Sequence, residues 1–230
     1  MQNVMAVAHR GDPYRARENT LDSLRSAFAQ GADAVEVDVR LTRDGVPVLL
    51  HDATLKRLWE HDRPLRSLSA AEVRGVTDGG VPTLVEALAA ADGAGRIMLD
   101  LPGAPDVPAV RRIVDAVREA GAEERVYYTA DARAMLAVRA VDPAAEIALT
   151  CTSLAPPRPA LLAAVRPRWL NYRFGLLDKD LATRIHRDGF LVSVWTPDTV
   201  RSMRRLIAAG ADSITTNRVD ALCALRTREN

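Results

Sequence analysis

The sequence predicts an α/β protein, a (β/α)8 TIM barrel with a β-hairpin extension after its second strand. Eight strand-like runs alternate with helical runs along the 230 residues, and such alternation implies right-handed βαβ units around a parallel sheet. Hydrophobic residues make up 48% of the chain, enough for the core of one barrel of this length. Two apolar runs joined by an Asp-Gly turn predict the hairpin. We expect residues 1–230 to form a single domain.

The first two strands and the helix between them have clear boundary signals. Val4–Ala8 is a short apolar run, as expected of a first strand. Thr20 is placed to cap a helix that runs from Leu21 to about Gln30. The second strand is expected at Ala34–Leu41, and its antiparallel arm at Val46–His51.

The remainder of the chain alternates regularly between the two kinds of element. A short helix is expected over Ala70–Arg74 with Ser69 as its cap, and Pro82-Thr83 opens another that runs to about Ala91. Further strands are expected at Arg96–Leu101, Arg125–Thr129, Glu146–Cys151, Trp169–Tyr172, Leu191–Trp195 and Ser213–Thr216. Helices are expected at Val107–Ala120, Asp131–Val141, Arg158–Val165, Asp178–Asp188 and Thr199–Ala209.

The second predicted strand carries two carboxylates among apolar residues. Glu36 and Asp38 share one face because side chains alternate along a strand, whereas the valines beside them face the other way. Two adjacent carboxylates repel each other and are costly to bury, and Mg²⁺ or Ca²⁺ would offset that cost. The alternative is that they form only the solvated face of an edge strand. The hairpin register places His51 across from Glu36 or Val37, beside the acidic pair.

Charge and cysteine content exclude several classes of protein. The 31 lysine and arginine residues nearly balance the 30 aspartate and glutamate residues, which argues against nucleic acid or an anionic membrane surface as the main partner. Cys151 and Cys223 lack metal-ligand spacing and are expected to be buried thiols rather than a disulfide. The chain shows no signal-peptide pattern and no apolar run of membrane-spanning length. We expect a cytoplasmic protein without stable membrane association that acts on a small molecule.

Polar side chains gather at the predicted carboxyl ends of the strands, where barrel enzymes hold their active sites. They are His9, Arg10, Glu36, Asp38, His51, Asp100, Trp195, Thr196, Thr216 and Asn217. A single histidine at a strand end is usually a hydrogen-bonded structural group. Two histidines, an arginine and three carboxylates at one mouth instead suit phosphoryl transfer. A metal and the arginine would neutralise the phosphate charge, while one imidazole removes a proton and the other supplies one.

Six segments in a fixed order carry a family signature. They are His9-Arg10-Gly11, Glu18-Asn19-Thr20, the run VEVDVRLTRDGVPVLLHD that ends in His51-Asp52, Val81-Pro82-Thr83-Leu84 with Glu86, VSVWT, and GADSITTNR. Together they resemble the glycerophosphodiester phosphodiesterase family over almost the whole chain. The resemblance implies a metal-dependent barrel, related to the phosphatidylinositol-specific phospholipases C, that cleaves a glycerophosphodiester to glycerol 3-phosphate and an alcohol.

The resemblance also implies a role for each site residue. The implied acid–base pair is His9 and His51, the implied phosphate and substrate contacts are Arg10, Glu18 and Trp195, and the implied ligands of Mg²⁺ or Ca²⁺ are Glu36, Asp38 and Asp100. Glu18 and Asn19 would also order the first loop through hydrogen bonds. Trp195 would cover the glycerol moiety or belong to the core.

Three positions and one segment depart from the usual family pattern. Asp100 stands where the family usually has Glu, and Pro102 stands where it usually has Lys, so one phosphate-binding cation is lost. Arg17 replaces the Pro that usually precedes Glu-Asn-Thr, and the segment from Trp59 to Thr77 is short, which predicts a small lid. Two other functions stay open. One is a related phosphodiesterase or cyclising lyase on another (lyso)phospholipid diester, and the other is a non-catalytic member that binds a phosphorylated ligand.

Overall fold

Eight parallel strands close into a barrel in the computed structural model, which describes residues 4–228. The strands are β1 (Met5–His9), β2 (Ala34–Leu41), β3 (Pro47–Leu49), β4 (Thr54–Leu55), β5 (His61–Pro64), β6 (Arg96–Asp100), β7 (Val126–Ala130), β8 (Ile147–Cys151), β9 (Trp169–Arg173), β10 (Leu191–Trp195) and β11 (Ser213–Thr216). The helices are α1 (Leu21–Ala29), α2 (Lys56–Trp59), α3 (Ala70–Val76), α4 (Leu84–Ala90), α5 (Val107–Glu119), α6 (Ala132–Val141), α7 (Pro159–Val165), α8 (Lys179–Arg187), α9 (Val200–Ala209) and α10 (Val219–Arg228). Single 3-10 turns cover Leu65–Ser67 and Glu123–Arg125.

The barrel confirms the predicted fold class. Its strands follow the order β1, β2, β6, β7, β8, β9, β10 and β11, and β11 pairs back with β1 in parallel. The eight barrel strands lie within one residue of their predicted bounds. The predicted caps also form, since Thr20 Oγ1 accepts a hydrogen bond from the Ser23 amide and Ser69 caps α3 in the same way.

The hairpin arm is shorter than predicted. Only Pro47–Leu49 pairs with β2, with Val39 opposite Leu49, and the Leu50 amide then donates to the Asp38 carbonyl. The predicted register is confirmed, since these pairs place position 51 across from Val37. The ladder itself ends before His51, so His51 forms no strand pair with β2. The end of the arm still brings His51 to the mouth of the barrel, where it lines the cavity described below.

Apolar residues pack on both the outer and the inner face of the barrel strands. The outward face of β2 belongs to the core between strands and helices, together with the inner faces of α1, α4 and α5. Inside the barrel, toward the amino ends of the strands, a smaller apolar cluster forms a plug. It consists of Val7, Ala34, Met98, Tyr127, Ala148 and Trp169. Because side chains alternate along each strand, the inward positions above this plug face the mouth.

The segment between β3 and α4 forms a small separate layer. Strands β4 and β5 pair in an antiparallel sheet with α2 between them, and a satellite apolar cluster around Leu55 and Leu65 packs against the hairpin. Cys151 is buried, and the half-buried Cys223 donates from Sγ to the Gly31 carbonyl oxygen at 3.2 Å. Across residues 4–228, each helix falls short of the length and apolarity that a membrane span requires.

Candidate active site

A cavity of about 250 Å³ opens at the carboxyl ends of the barrel strands. Its walls are His9, Arg10, Glu36, His51, Met98, Asp100, Thr129, Thr150, Asn171, Trp195 and Thr215. Six of the eight predicted site residues are among them. The other two, Glu18 and Asp38, lie behind the wall and contact Arg10.

The His-Arg-Gly motif fits a close approach between the end of β1 and α1. Gly11 has a φ of +89°, and a Cβ atom there would lie 2.3 Å from Ser23 Oγ. That contact is impossible for a larger residue without a shift of α1. The turn aims the Arg10 amide at Glu36, whose Oε2 accepts its hydrogen bond at 2.9 Å.

Three carboxylates form an acidic cluster at the mouth. Oxygen atoms of Glu36, Asp38 and Asp100 lie within 4.8 Å of one another. Glu36 is 4% exposed and Asp38 0%, and β2 is paired on both sides. The alternative of a solvated edge strand is therefore wrong.

Burial and mutual repulsion disfavour the ionised forms of two carboxyl groups in this cluster. Burial, followed by repulsion from Asp38 and Asp100, raises the pKa of Glu36 well above its usual value. Burial, followed by repulsion from Asp38, raises the pKa of Asp100 to about 7. Asp38 Oδ1 is buried and has no hydrogen-bond partner among residues 4–228. Three hard oxygen donors, one of them unpartnered, fit a divalent cation such as Mg²⁺ or Ca²⁺.

The Glu-Asn-Thr motif organises the wall behind this cluster. Glu18 Oε1 accepts a hydrogen bond from Arg10 Nη1 at 3.0 Å. Asn19 is buried and bonds Asp38 twice, donating from Nδ2 to Oδ2 at 2.8 Å and accepting the Asp38 amide at 3.1 Å. Arg10 Nε lies 3.1 Å from the same Asp38 oxygen. The first loop is thus tied to β2 by side-chain hydrogen bonds.

His9 is held by a residue that follows the last strand. Its Nδ1 lies 2.8 Å from Asn217 Oδ1, while Asn217 Nδ2 donates to Asp198. Because the amide nitrogen is engaged with a carboxylate, Oδ1 is the acceptor and His9 Nδ1 carries the proton. His9 Nε2 then faces the acidic cluster, 3.9 Å from Glu36 Oε2. Burial, followed by the charge of Arg10, lowers the pKa of His9.

His51 is held by a carboxylate that the sequence places next to it. Its Nδ1 lies 2.7 Å from Asp52 Oδ1. Arg57 on α2 bonds the other Asp52 oxygen at 2.6 Å and also donates to both oxygens of Glu18. The hydrogen bond from Arg57, ahead of that from His51, lowers the pKa of Asp52 to about 2. A continuous chain of ion pairs therefore joins Arg10 to His51.

The floor of the cavity is a hydroxyl and amide cluster that the sequence pattern did not single out. Asn171 Nδ2 donates to Thr129 Oγ1 at 3.2 Å, and Ser193 Oγ donates to Asn171 Oδ1 at 2.9 Å. Thr129 and Thr150 share a hydrogen bond of 3.2 Å. Thr215 Oγ1 is buried with no partner within the described part of the chain. These residues come from five different strands, β7 to β11, and only the assembled sheet brings them together.

Two aromatic residues have distinct positions around the mouth. Trp195 is half-buried and lines the cavity, which places it toward the ligand rather than in the core. Trp59 lies outside the cavity and stacks under Arg17, whose guanidinium carbon is 4.2 Å from the ring centroid. Arg17 is thus engaged away from the acidic cluster.

Comparisons with known proteins agree with this architecture. A phosphodiesterase from Oleispira antarctica, solved in complex with the product sn-glycerol-3-phosphate, superposes with a TM-score of 0.84 at 22% identity, covering 95% of this chain and 94% of that one. A glycerophosphodiester phosphodiesterase from Thermotoga maritima gives a TM-score of 0.82 at 23% identity, over 96% and 98% of the two chains. Both likenesses support the fold.

Sequence similarity defines the family. The glycerophosphodiester phosphodiesterase of Caldanaerobacter subterraneus subsp. tengcongensis is 27% identical over 240 residues, covering 96% of this chain and 97% of that protein. The sequence profile described as "Glycerophosphoryl diester phosphodiesterase family" matches residues 9–221. The chain belongs to the glycerophosphoryl diester phosphodiesterase family.

Proposed function

We propose that this protein hydrolyses glycerophosphodiesters to glycerol 3-phosphate and an alcohol, in a metal-dependent reaction with His9 and His51 as the proton-transfer groups. The observation that carries the proposal is the cavity in which these two imidazoles flank the Glu36, Asp38 and Asp100 cluster. Membership of a family of phosphodiesterases and the product named for the Oleispira antarctica relative support the same reaction.

The metal would be held by Glu36, Asp38 and Asp100, which bring hard oxygen donors together beneath the cavity. When bound, it would neutralise charge on the phosphate oxygens. Asn19 keeps one Asp38 oxygen engaged, so the unpartnered Oδ1 is the one left for the ion. Mg²⁺ and Ca²⁺ are the two candidates.

His9 is the proposed general base. Its Nδ1 proton is committed to Asn217, and burial keeps the ring neutral, so the Nε2 lone pair is free to accept a proton from the attacking hydroxyl group. His51 is the proposed general acid. Its Nδ1 contact with Asp52 fixes the orientation of the ring, and Nε2 is the atom that would give a proton to the departing alkoxide.

The remaining walls suit the other parts of the substrate. Arg10, fixed by Glu18 and by its own amide contact to Glu36, would hold the phosphate. The hydroxyl and amide groups of Thr129, Asn171 and Thr215 would bond the glycerol hydroxyls, with Trp195 covering its carbon chain.

We also propose one domain over residues 1–230, acting on a small molecule in the cytoplasm, where free thiols such as Cys151 persist.

The deciding experiment measures glycerol 3-phosphate released from glycerophosphocholine and glycerophosphoethanolamine, in EDTA, in Mg²⁺ and in Ca²⁺. We expect release only with metal, and none from His9→Ala or Glu36→Ala. Phosphorus NMR of the same reactions would reveal a cyclic phosphate if the protein is a cyclising lyase. No turnover by a folded, metal-binding protein would contradict the proposal and favour a phospho-ligand-binding role.

A further inference from the structure

Arg40 is the last inward-facing residue of β2. It shares the face of Glu36 and Asp38 because residues two apart lie on one side of a strand. The side chain is half-buried, and its Nε donates to the His51 carbonyl oxygen at 2.7 Å. The guanidinium is therefore fixed beside the main chain of His51, the proposed general acid, which lines the cavity.

The two terminal nitrogens of Arg40 have no acceptor within residues 4–228. Its one hydrogen bond there uses Nε, and no carboxylate forms an ion pair with it. Nη1 points toward the loop after β6, where a Cβ atom built on Gly103 would lie 3.4 Å away. Burial lowers the pKa of Arg40, and the charges of Asp38, Asp52 and Asp100 oppose that effect from around the mouth. A half-buried cation with four free N–H donors is thus held beside the acidic cluster.

Arg10, by contrast, is already neutralised. Its Nη1 bonds Glu18 and its Nε lies 3.1 Å from Asp38. A cation whose charge is offset by two carboxylates attracts a further anion less strongly than one without an ion pair. An anionic ligand would give Arg40 Nη1 and Nη2 the acceptors that they lack within residues 4–228.

We propose that Arg40 is a phosphate-binding residue of this site, which uses Nη1 and Nη2 to hold the non-bridging oxygens of the substrate phosphate. The planar guanidinium fork matches two phosphate oxygens at once. The inference rests on the proposed function only for the identity of the diester. The anion itself is tested directly with inorganic phosphate and sn-glycerol 3-phosphate.

The test is isothermal titration of each anion into the wild type, Arg40→Gln, Arg40→Lys and Arg17→Gln, all in Mg²⁺ and with melting temperatures checked. Arg17 is the matched control because its guanidinium is stacked on Trp59 outside the cavity. We expect Arg40→Gln to weaken binding of both anions by roughly ten- to a hundred-fold. Arg40→Lys should recover part of the loss, since it keeps the charge but not the fork, and Arg17→Gln should bind as the wild type.

Three results would overturn the inference. One is unchanged anion binding in a folded Arg40→Gln protein. The second is a loss of anion binding in Arg173→Gln without a loss in Arg40→Gln. Arg173 is the alternative cation because it is exposed beside Trp195. The third is that Arg40→Gln slows the hydrolysis of glycerophosphoserine but neither slows that of glycerophosphoethanolamine nor weakens anion binding. That result would assign Arg40 to the carboxylate of the serine alcohol. Phosphate binding that needs Arg40 in a protein without diesterase activity would instead uphold the inference and reject the proposed function.

Discussion

The two histidines of the site have opposite surroundings, and this difference is the basis of the roles that we propose for them. His9 is buried, bonds a neutral amide and lies next to a cation, so its pKa falls. His51 is more exposed and bonds Asp52, which Arg57 keeps ionised. Burial and the neighbouring cation favour the neutral, proton-accepting ring of His9, whereas the Asp52 contact fixes the orientation of the His51 ring.

The assignment of His51 as general acid makes a prediction about leaving groups. His51→Ala should lower the hydrolysis of glycerophosphocholine by roughly 10²- to 10⁴-fold, because the alkoxide then leaves without a proton. The rate of hydrolysis of a p-nitrophenyl diester, whose phenolate leaves without a proton, should fall far less. Steady-state rates on both substrates provide the measurement. His9→Ala is the control, because removal of the base should slow the hydrolysis of both substrates alike. Equal loss of rate on both substrates in His51→Ala would contradict its assignment as general acid.

Asp100 predicts a pH dependence of stability in the metal-free protein. Its folded pKa is about 7, whereas an unfolded aspartate has a pKa of about 3.9. As the pH falls from 8 to 5, the folded state therefore binds a proton that the unfolded state does not, and stability rises. The gain is on the order of a few kcal/mol.

Urea unfolding in EDTA between pH 5 and pH 8 checks this prediction. Asp100→Asn should show a smaller gain, because the titrating carboxyl is gone. The lowered pKa of His9 acts in the opposite direction in both proteins and cancels in the comparison. Parallel curves for the two proteins would count against a raised pKa at Asp100.

Among the elements, the short helix α2 has an importance that its length conceals. It contributes Arg57, which bonds both Asp52 and Glu18 and so links the end of the hairpin arm to the first loop. Without that guanidinium, two carboxylates would face each other at the mouth. Sequence patterns could not find this link, because residues 53–67 have no regular periodicity and the contact depends on how β4, α2 and β5 fold over the arm.

Arg57→Ala is accordingly expected to act on catalysis through His51. With Asp52 less firmly placed, the His51 ring loses its fixed orientation, so kcat should fall by about ten-fold or more and the pH–rate curve should change. Lys56→Ala is the matched control, because that neighbouring side chain is exposed and, within residues 4–228, pairs only with Asp62. A change in KM alone, with kcat and the pH–rate curve unaltered, would mean that Arg57 binds substrate instead.

At the scale of the whole molecule, the barrel strands were predictable and the contacts across the mouth were not. Runs such as Leu191–Trp195 are apolar, β-branched and bounded by turn residues, so their limits follow from local chemistry. Asn217 and His9 are 208 positions apart, and Arg40 has no local signal beyond its place in β2. Contacts of that kind follow from the closure of the barrel, which no short sequence window contains.

Metal binding should stabilise the whole barrel, because Glu36 and Asp38 lie on β2 and Asp100 lies on β6. A ligand at a hundred times its Kd contributes about 2.7 kcal/mol. For a chain of this size, that corresponds to a rise in Tm of roughly 5–10 °C. Thermal melts with EDTA and with Mg²⁺ test this, with Glu36→Gln expected to lose most of the rise. A wild type that melts at the same temperature in both would speak against a metal site here.

The bond between His9 and Asn217 has a consequence for biosynthesis. The imidazole is made 208 positions before its hydrogen-bond partner. Folding that begins during translation can build β1 and β2 early, but the histidine gains its fixed orientation only when β11 docks beside β1. We therefore expect the proposed base to be positioned only after β11 has been synthesised.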